Sequence, residues 1–353
     1  MTIVTPASRN LSAEVLNAHR AQSRRRLILV GLLGLLAVAA LVLDLVTGPA
    51  GLPLDQTLKA LIGAEVPRGT SVIVRDVRLP VAVMALLVGG ALGLAGAEMQ
   101  TVLDNPLAEP FTLGVSGAAA LGAALGIVLG ISLPGLPPEA TVSANAFLFA
   151  IGALILLQLL SGFRGGGPEV LVLFGIALSF AAQALLALVQ YVASADTLQQ
   201  LVYWTMGSLS AANWTRVQLL ALVLALVVPF SLLSAWKLTA LKLGAERASS
   251  LGINLKSLRR WALLRISLLA ATSVALTGII GFIGLAGPHI ARLLVGQDHR
   301  FYLPTSLFTG ALLLSLASTA SKTLIPGLIL PIGIVTTLIG LPVFVWLIAR
   351  RRP

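Results

Sequence analysis

Apolar residues in this chain come in long blocks rather than in alternation. A helix needs about 20 of them to cross the hydrocarbon of a bilayer. Blocks of that kind predict spans at 27–46, 79–101, 113–131, 143–161, 170–192, 216–236, 262–281, 282–296, 305–323 and 331–349. The seventh and eighth meet without a polar loop, and Gly278, Gly281, Gly284, Gly287 and Pro288 predict a break or tight reversal there. Gly89-x-x-x-Gly93 and Gly122-x-x-x-Gly126-x-x-x-Gly130 predict close helix crossings, as fixed packing or as a moving interface. Residues 197–211, with Tyr203 and Trp204, read as a short helix on the outer surface. The expectation is an all-α integral membrane protein of about ten transmembrane helices. Its single membrane domain, 27–353, follows a tail, 1–26.

Composition agrees. Hydrophobic residues make up 57% of the 353 residues and charged residues 10%, against about 25% charged in a soluble domain. The net charge of +11 does not point to nucleic acid, because the basic residues are not interleaved with aromatics. They cluster at the ends of apolar runs, as in Arg24–Arg26, Arg259–Arg260 and Arg350–Arg352. The predicted spans put eighteen of the 24 lysines and arginines on the side that holds both termini. The positive-inside bias makes that side, and both termini, cytoplasmic. Ala37-Val38-Ala39 imitates a signal-peptidase site, but a 26-residue leader precedes the Leu27–Val46 run, so a retained first span is expected.

Candidate chemistry is sparse. There is no cysteine, and His19, His289 and His299 offer no ligand pair, so no metal is expected. Gly165-Gly166-Gly167 lacks the lysine of a P-loop, so the chain does not bind ATP that way. No catalytic constellation stands out, and no enzymatic activity is expected. Intramembrane ionisable residues mark ion coupling in many carriers; here Asp44, Glu98, Arg265 and Arg292 are the candidates. Glu98, one turn before Thr101, reads as a coupling carboxylate or as a helix-end carboxylate facing water or protein. With no chain of carboxylates through the spans, a proton-driven carrier is disfavoured.

Three segments differ from plain loops. Asn105-Pro-Leu-Ala-Glu-Pro110 forms a rigid turn, since each proline locks its own φ and restrains the residue before it. Residues 243–252 read as a short helix closed by Gly252, whose Ala248, Leu251 and Ile253 suit a groove on a partner. The third is Gly281–Arg292.

Together and in this order, these segments resemble the permease family of the ABC importers for iron–siderophores, haem and cobalamin. The resemblance is carried by Arg78-Leu79-Pro80, Gly89–Gln100, Asn105–Pro110, Leu113–Ser116, Gly281–Arg292, Asp298–Arg300 and Leu330–Thr336, over about residues 70–350. It implies a homodimer in a bacterial inner membrane, with the pathway on its axis. Two separate ATPase subunits, which carry ATP and Mg, would bind beneath, and a periplasmic or surface binding protein above. It implies an ATPase-coupling role for Gly244, Ala245, Glu246, Arg247, Ala248, Ser249, Ser250, Leu251 and Gly252. It implies cytoplasmic gates at Asn105 and Leu107 and at Gly167, Pro168 and Glu169. Arg78 and Lys322 would meet acidic residues of the binding protein. The chain departs from the family at Val81, Ile329, Ser318 and Ala245, where charged residues are common. The alternative reading is a secondary transporter driven by an ion gradient.

Overall fold

The structure, a computed structural model, describes residues 6–49, 51–163 and 167–349. Arg164, Gly165, Gly166 and Arg350–Arg352 lie outside the described residues. These form fifteen α-helices and no strand: α1 (Pro6–Val46), α2 (Leu54–Ile62), α3 (Arg68–Val72), α4 (Leu79–Val102), α5 (Val115–Ile127), α6 (Pro138–Phe163), α7 (Pro168–Tyr191), α8 (Ala195–Thr205), α9 (Trp214–Leu233), α10 (Ala235–Leu241), α11 (Ala245–Ser250), α12 (Leu255–Thr277), α13 (Ile283–Val295), α14 (His299–Thr323) and α15 (Ile332–Ala349). Seven stretches are long and apolar enough to cross a membrane, in α1, α3–α4, α6, α7, α9, α12 and α14. Three shorter apolar helices, α5, α13 and α15, fall on the remaining predicted runs. At thirteen residues, α5 and α13 are about 20 Å long, less than the hydrocarbon thickness.

Helix ends do not coincide with the ends of apolar runs. The first helix continues without a break from the polar segment into the Leu27–Val46 run, so no structural boundary stands at residue 27. Upstream of α4, the polar 68–78 segment is helical too, with a π-helical turn at Ile73–Arg78. Polar side chains close several helix starts. Asn213 accepts from the Arg216 N–H (2.9 Å), Asn254 from that of Ser257 (2.9 Å) and Asp298 from that of Arg300 (3.1 Å).

The core is organised on α4, which is buried along nearly its whole length and packs against α1, α12, α13 and α14. The expected close crossing occurs here. A Cβ on Gly89 would strike the Gly310 carbonyl, one on Gly93 the Ser306 carbonyl and one on Gly96 the Gly284 carbonyl. Backbone therefore touches backbone along α4, α13 and α14.

The break after α12 is a reversal. Its end, at Leu276 and Thr277, meets Arg216 and Ser208, far along the chain from its start beside α11. The chain then turns at Gly278 (φ 71°) and Phe282 (φ 70°), and α13 returns to the end that holds Asp298 and Arg26. Inside α13, Pro288 has no N–H to offer the carbonyl of Gly284, four residues earlier. The Gln100 side chain of α4 donates to that carbonyl instead (Nε2 to O, 3.4 Å). The predicted surface helix is α8, but its end is not superficial. Gly207 and Met206 accept backbone hydrogen bonds from Ile332 and Gly333 of α15, and Ser208 N–H donates to Thr277 O at 2.7 Å.

Gly93→Ala should destabilise the protein by about 1–3 kcal/mol, because the added methyl overlaps backbone that cannot swing aside. Gly31→Ala, with nothing within 4 Å of the new Cβ, should be neutral or stabilising. Thermal unfolding of the two variants in one detergent checks this; equal melting temperatures would contradict the close crossing.

Candidate functional site

The densest polar cluster lies where α4 ends, at the end of the bundle that carries Arg24–Arg26. Gln100 Oε1 accepts from Arg292 (2.7 Å) and from the Tyr302 hydroxyl (3.4 Å). Thr101 meets His299 Nε2 at 2.7 Å. The other ring nitrogen of His299 lies 3.2 Å from Thr239 Oγ1, which also accepts the His299 N–H at 2.9 Å. Past the helix end, Asp104 takes φ 46°, and its carboxylate accepts from Lys242 at 2.6 Å. Two ties thus join the end of α4 to α10, one through His299 and one direct. Lys242 is two residues before Gly244.

Between these ties runs the predicted turn. Asn105 Oδ1 accepts the Leu107 N–H at 2.9 Å, and the Asn105 N–H donates to Gln100 O at 3.1 Å, so Asn105 holds the turn by a local side-chain bond. Leu107 is 48% exposed at its tip. Gly167 is extended (φ −72°, ψ 161°) at the start of α7, and Glu169 is exposed in its first turn. The structure brings Asn105 and Leu107 into one turn with Asp104, while Gly167, Pro168 and Glu169 belong to a different helix start.

Residues 244–252 form the expected short helix. Gly244 (φ 102°) precedes α11, and Gly252 (φ 79°) follows it. Ala245, Glu246, Arg247, Ser249, Ser250 and Leu251 are exposed. The docking face needs correction. Ala248 and Ile253 are buried in this chain's own core, and the Ile253 N–H donates to the Ala248 carbonyl. They anchor the segment, and the apolar groups left for a partner are Leu251 and Leu243, 59% and 56% exposed.

Sequence reasoning missed Glu109. It lines a cavity of about 490 Å³ with Phe111, Thr205, Met206, Phe282 and Thr337, drawn from four separated parts of the chain. Desolvation pushes its carboxyl up to about 7, opposed by a bond from the Phe282 backbone. A group that changes charge near neutral pH therefore stands in the wall of this cavity. Its place inside a turn, with no partner nearby in sequence, gave no signal of this.

At the opposite end, Arg78 and Lys322 are not surface charges, which corrects the expectation that they present themselves to a partner. Arg78 is 7% exposed and donates to the carbonyls of Val46 (3.1 Å) and Leu45 (3.4 Å). Lys322 is bound to Asp44 through its carboxylate (2.8 Å) and its carbonyl (3.2 Å). The physical reason is the end of α1. Its last carbonyls lack helical partners and carry the negative end of the helix dipole, and two cations satisfy them. Ser318, where the resemblance leads one to expect Asp, donates to Asp44 Oδ2 at 3.0 Å. The carboxylate that neutralises Lys322 comes from α1 instead.

Glu98 is also engaged. Arg265 Nε lies 3.0 Å from both of its oxygens, and the Arg265 NH2 2.9 Å from Oε2; both residues are buried. The pair ties α4 to α12. Of the two readings of Glu98 the second holds in its protein-facing form, for this carboxylate near the end of α4 is an internal structural partner of Arg265. Removing one member of a buried pair leaves an uncompensated charge, at a cost of about 3–5 kcal/mol, whereas replacing both is often neutral. Glu98→Leu and Arg265→Leu should each lower stability strongly, and the double variant should recover most of the loss. A double-mutant cycle of thermal unfolding reads this; additive losses would show that the pair is not coupled.

A model of the FecCD transport family matches residues 35–350 of this chain. The ferric enterobactin transport system permease protein FepD of Escherichia coli is 37% identical over 330 residues, 93% of this chain and 96% of that protein. The vitamin B12 import system permease protein BtuC of Vibrio vulnificus is 38% identical over 280 residues, 78% and 82% of the two chains. A solved inward-facing conformation of a putative metal-chelate type ABC transporter superposes with a TM-score of 0.80 at 32% identity. It covers 92% of this chain and 99% of that one.

Proposed function

As the chain belongs to the FecCD transport family of multi-pass ABC transporter permeases, we propose that it forms the translocation pathway of an ATP-driven importer for a metal chelate. Iron–siderophore is the first candidate, then haem and cobalamin. Relatives named for enterobactin and for vitamin B12 are almost equally similar, so overall identity does not choose the cargo.

In this reading the three short helices complete ten crossings, and both termini lie in the cytoplasm of a bacterial inner membrane. Two copies make the pathway, and the cavity lined by Glu109, Thr205 and Thr337 forms part of its wall. ATP and Mg belong to two ATPase subunits docked at residues 244–252, through Leu243, Leu251 and the exposed polar residues of α11. A binding protein delivers the chelate at the opposite end. Asn105 and Leu107 make one gate, and Gly167, Pro168 and Glu169 another.

The observation that supports coupling is the pair of ties from α10 to the end of α4. A push on 244–252 moves α10, and the Asp104–Lys242 and Thr101–His299–Thr239 links carry that displacement to the turn that holds Asn105 and Leu107. The Glu98–Arg265 pair tells against an ion-gradient carrier, because Glu98, the candidate coupling carboxylate, is committed to a cation.

Reconstitution in liposomes with the neighbouring ATPase and binding protein tests the proposal. Uptake should require ATP and all three components, and a panel of siderophore, haem and cobalamin should identify the cargo. Uptake driven by a pH or sodium gradient without the ATPase would overturn it. An exposed ion pair contributes at most about 1 kcal/mol to stability, so Asp104→Lys and Lys242→Asp should still fold. Each should lower uptake per ATP hydrolysed, by up to about fivefold, and the exchanged double variant should restore it. Unchanged coupling in both single variants would remove this link from the mechanism.

A further inference from the structure

A groove of about 930 Å³ opens between α9 and α12, lined among others by Leu226, Phe230, Trp236, Lys237, Trp261 and Leu268. Its body is apolar. Arg265 reaches its wall, but that charge is neutralised by Glu98. The mouth is different. Trp236 and Trp261 are 53% and 57% exposed, and Trp261 lies about 9 Å along α12 from its first residue. Trp236 stands on the short helix α10, three residues past the end of α9, and exposed indoles near the ends of membrane-crossing helices favour the boundary between headgroups and acyl chains. Lys237 sits there, its ammonium 5.8 Å from the Trp236 ring centroid. No carboxylate lines the groove, and among the described residues none forms an ion pair with Lys237. Lys256 and Arg260 are exposed nearby, on the first turns of α12.

An apolar trough with an uncompensated cation at its interfacial mouth fits one occupant by charge and shape. We propose that the groove is a binding site for an anionic glycerophospholipid, with an acyl chain against α9 and α12 and the phosphate at Lys237. A helix from another protein would find a cation at the mouth without a hydrogen-bonding counterpart deeper in. A zwitterionic lipid would bring its own cation beside Lys237, the uncompensated cation that lines the groove. The headgroup would lie beside Gly252, Ile253 and Asn254, which line the same groove and lead from the exposed segment 244–252 into α12. Bound lipid would therefore brace the base of that segment. The site itself does not rest on the transport reading; only its assignment to the cytoplasmic leaflet does.

The test uses the full-length chain, purified and delipidated in detergent. Phosphatidylglycerol and phosphatidylcholine with the same acyl chains are added in turn, and retained lipid is counted by native mass spectrometry. The wild-type chain should retain phosphatidylglycerol over phosphatidylcholine by about fivefold, the preference expected from one basic residue near an anionic headgroup. Lys237→Gln should abolish the preference, and Lys237→Arg should keep it. Lys237 is exposed, so both variants should unfold at the wild-type temperature without lipid, which separates lost binding from lost folding. Equal retention of the two lipids by the wild type, or a preference that survives in Lys237→Gln, would overturn the proposal.

Discussion

Backbone contact without intervening side chains governs this molecule. Along α4 the residues facing α13 and α14 are Gly89, Gly93 and Gly96, and Gly284 and Gly310 face them in return. In a bilayer no hydrophobic effect draws helices together, because lipid tails are as apolar as leucine; close packing and interhelical hydrogen bonds must do so. Glycine lets the helices approach until van der Waals contact is made between main chains. The same closeness brings Gln100 to the carbonyl that Pro288 leaves without a helical donor.

Around that seam the buried charges have structural work. Asp44, Arg78 and Lys322 close the end of α1, and Glu98 with Arg265 joins α4 to α12. The two carboxylates, Asp44 and Glu98, are each paired with a cation inside the chain. In the proposed role such a chain offers a large chelate few strong contacts, and release then costs little; the energy for directional movement would come from a partner that pushes at one end.

The polar surface at the basic end is arranged differently from the core. Asp104 and Lys242 pair at the surface, and beneath them the buried His299 bridges two threonines from separate helices. Long polar links between short elements can shift without opening a cavity, whereas the glycine seam cannot. Mobility, if the protein moves as proposed, belongs to α10, α11 and the Asn105–Pro110 turn, with α4, α13 and α14 as the fixed frame.

Much of this was present in the linear pattern. Apolar blocks located the seven stretches long enough to cross a membrane and the three shorter apolar helices, because clustering of apolar residues is a local property of the chain. Gly252 announced the end of the short helix before it, and Gly278–Pro288 announced a break or reversal, since backbone conformation follows from residue type at those positions. What sequence could not decide was which charges meet. Arg78 and Lys322 read as surface cations, yet they face the end of a helix more than thirty positions away in the chain. Ala248 and Ile253 read as a docking face and turned inward. Glu109 drew no notice until four distant segments closed a cavity around it. Burial and pairing arise from contacts between remote parts of the chain, so only the folded molecule sets them.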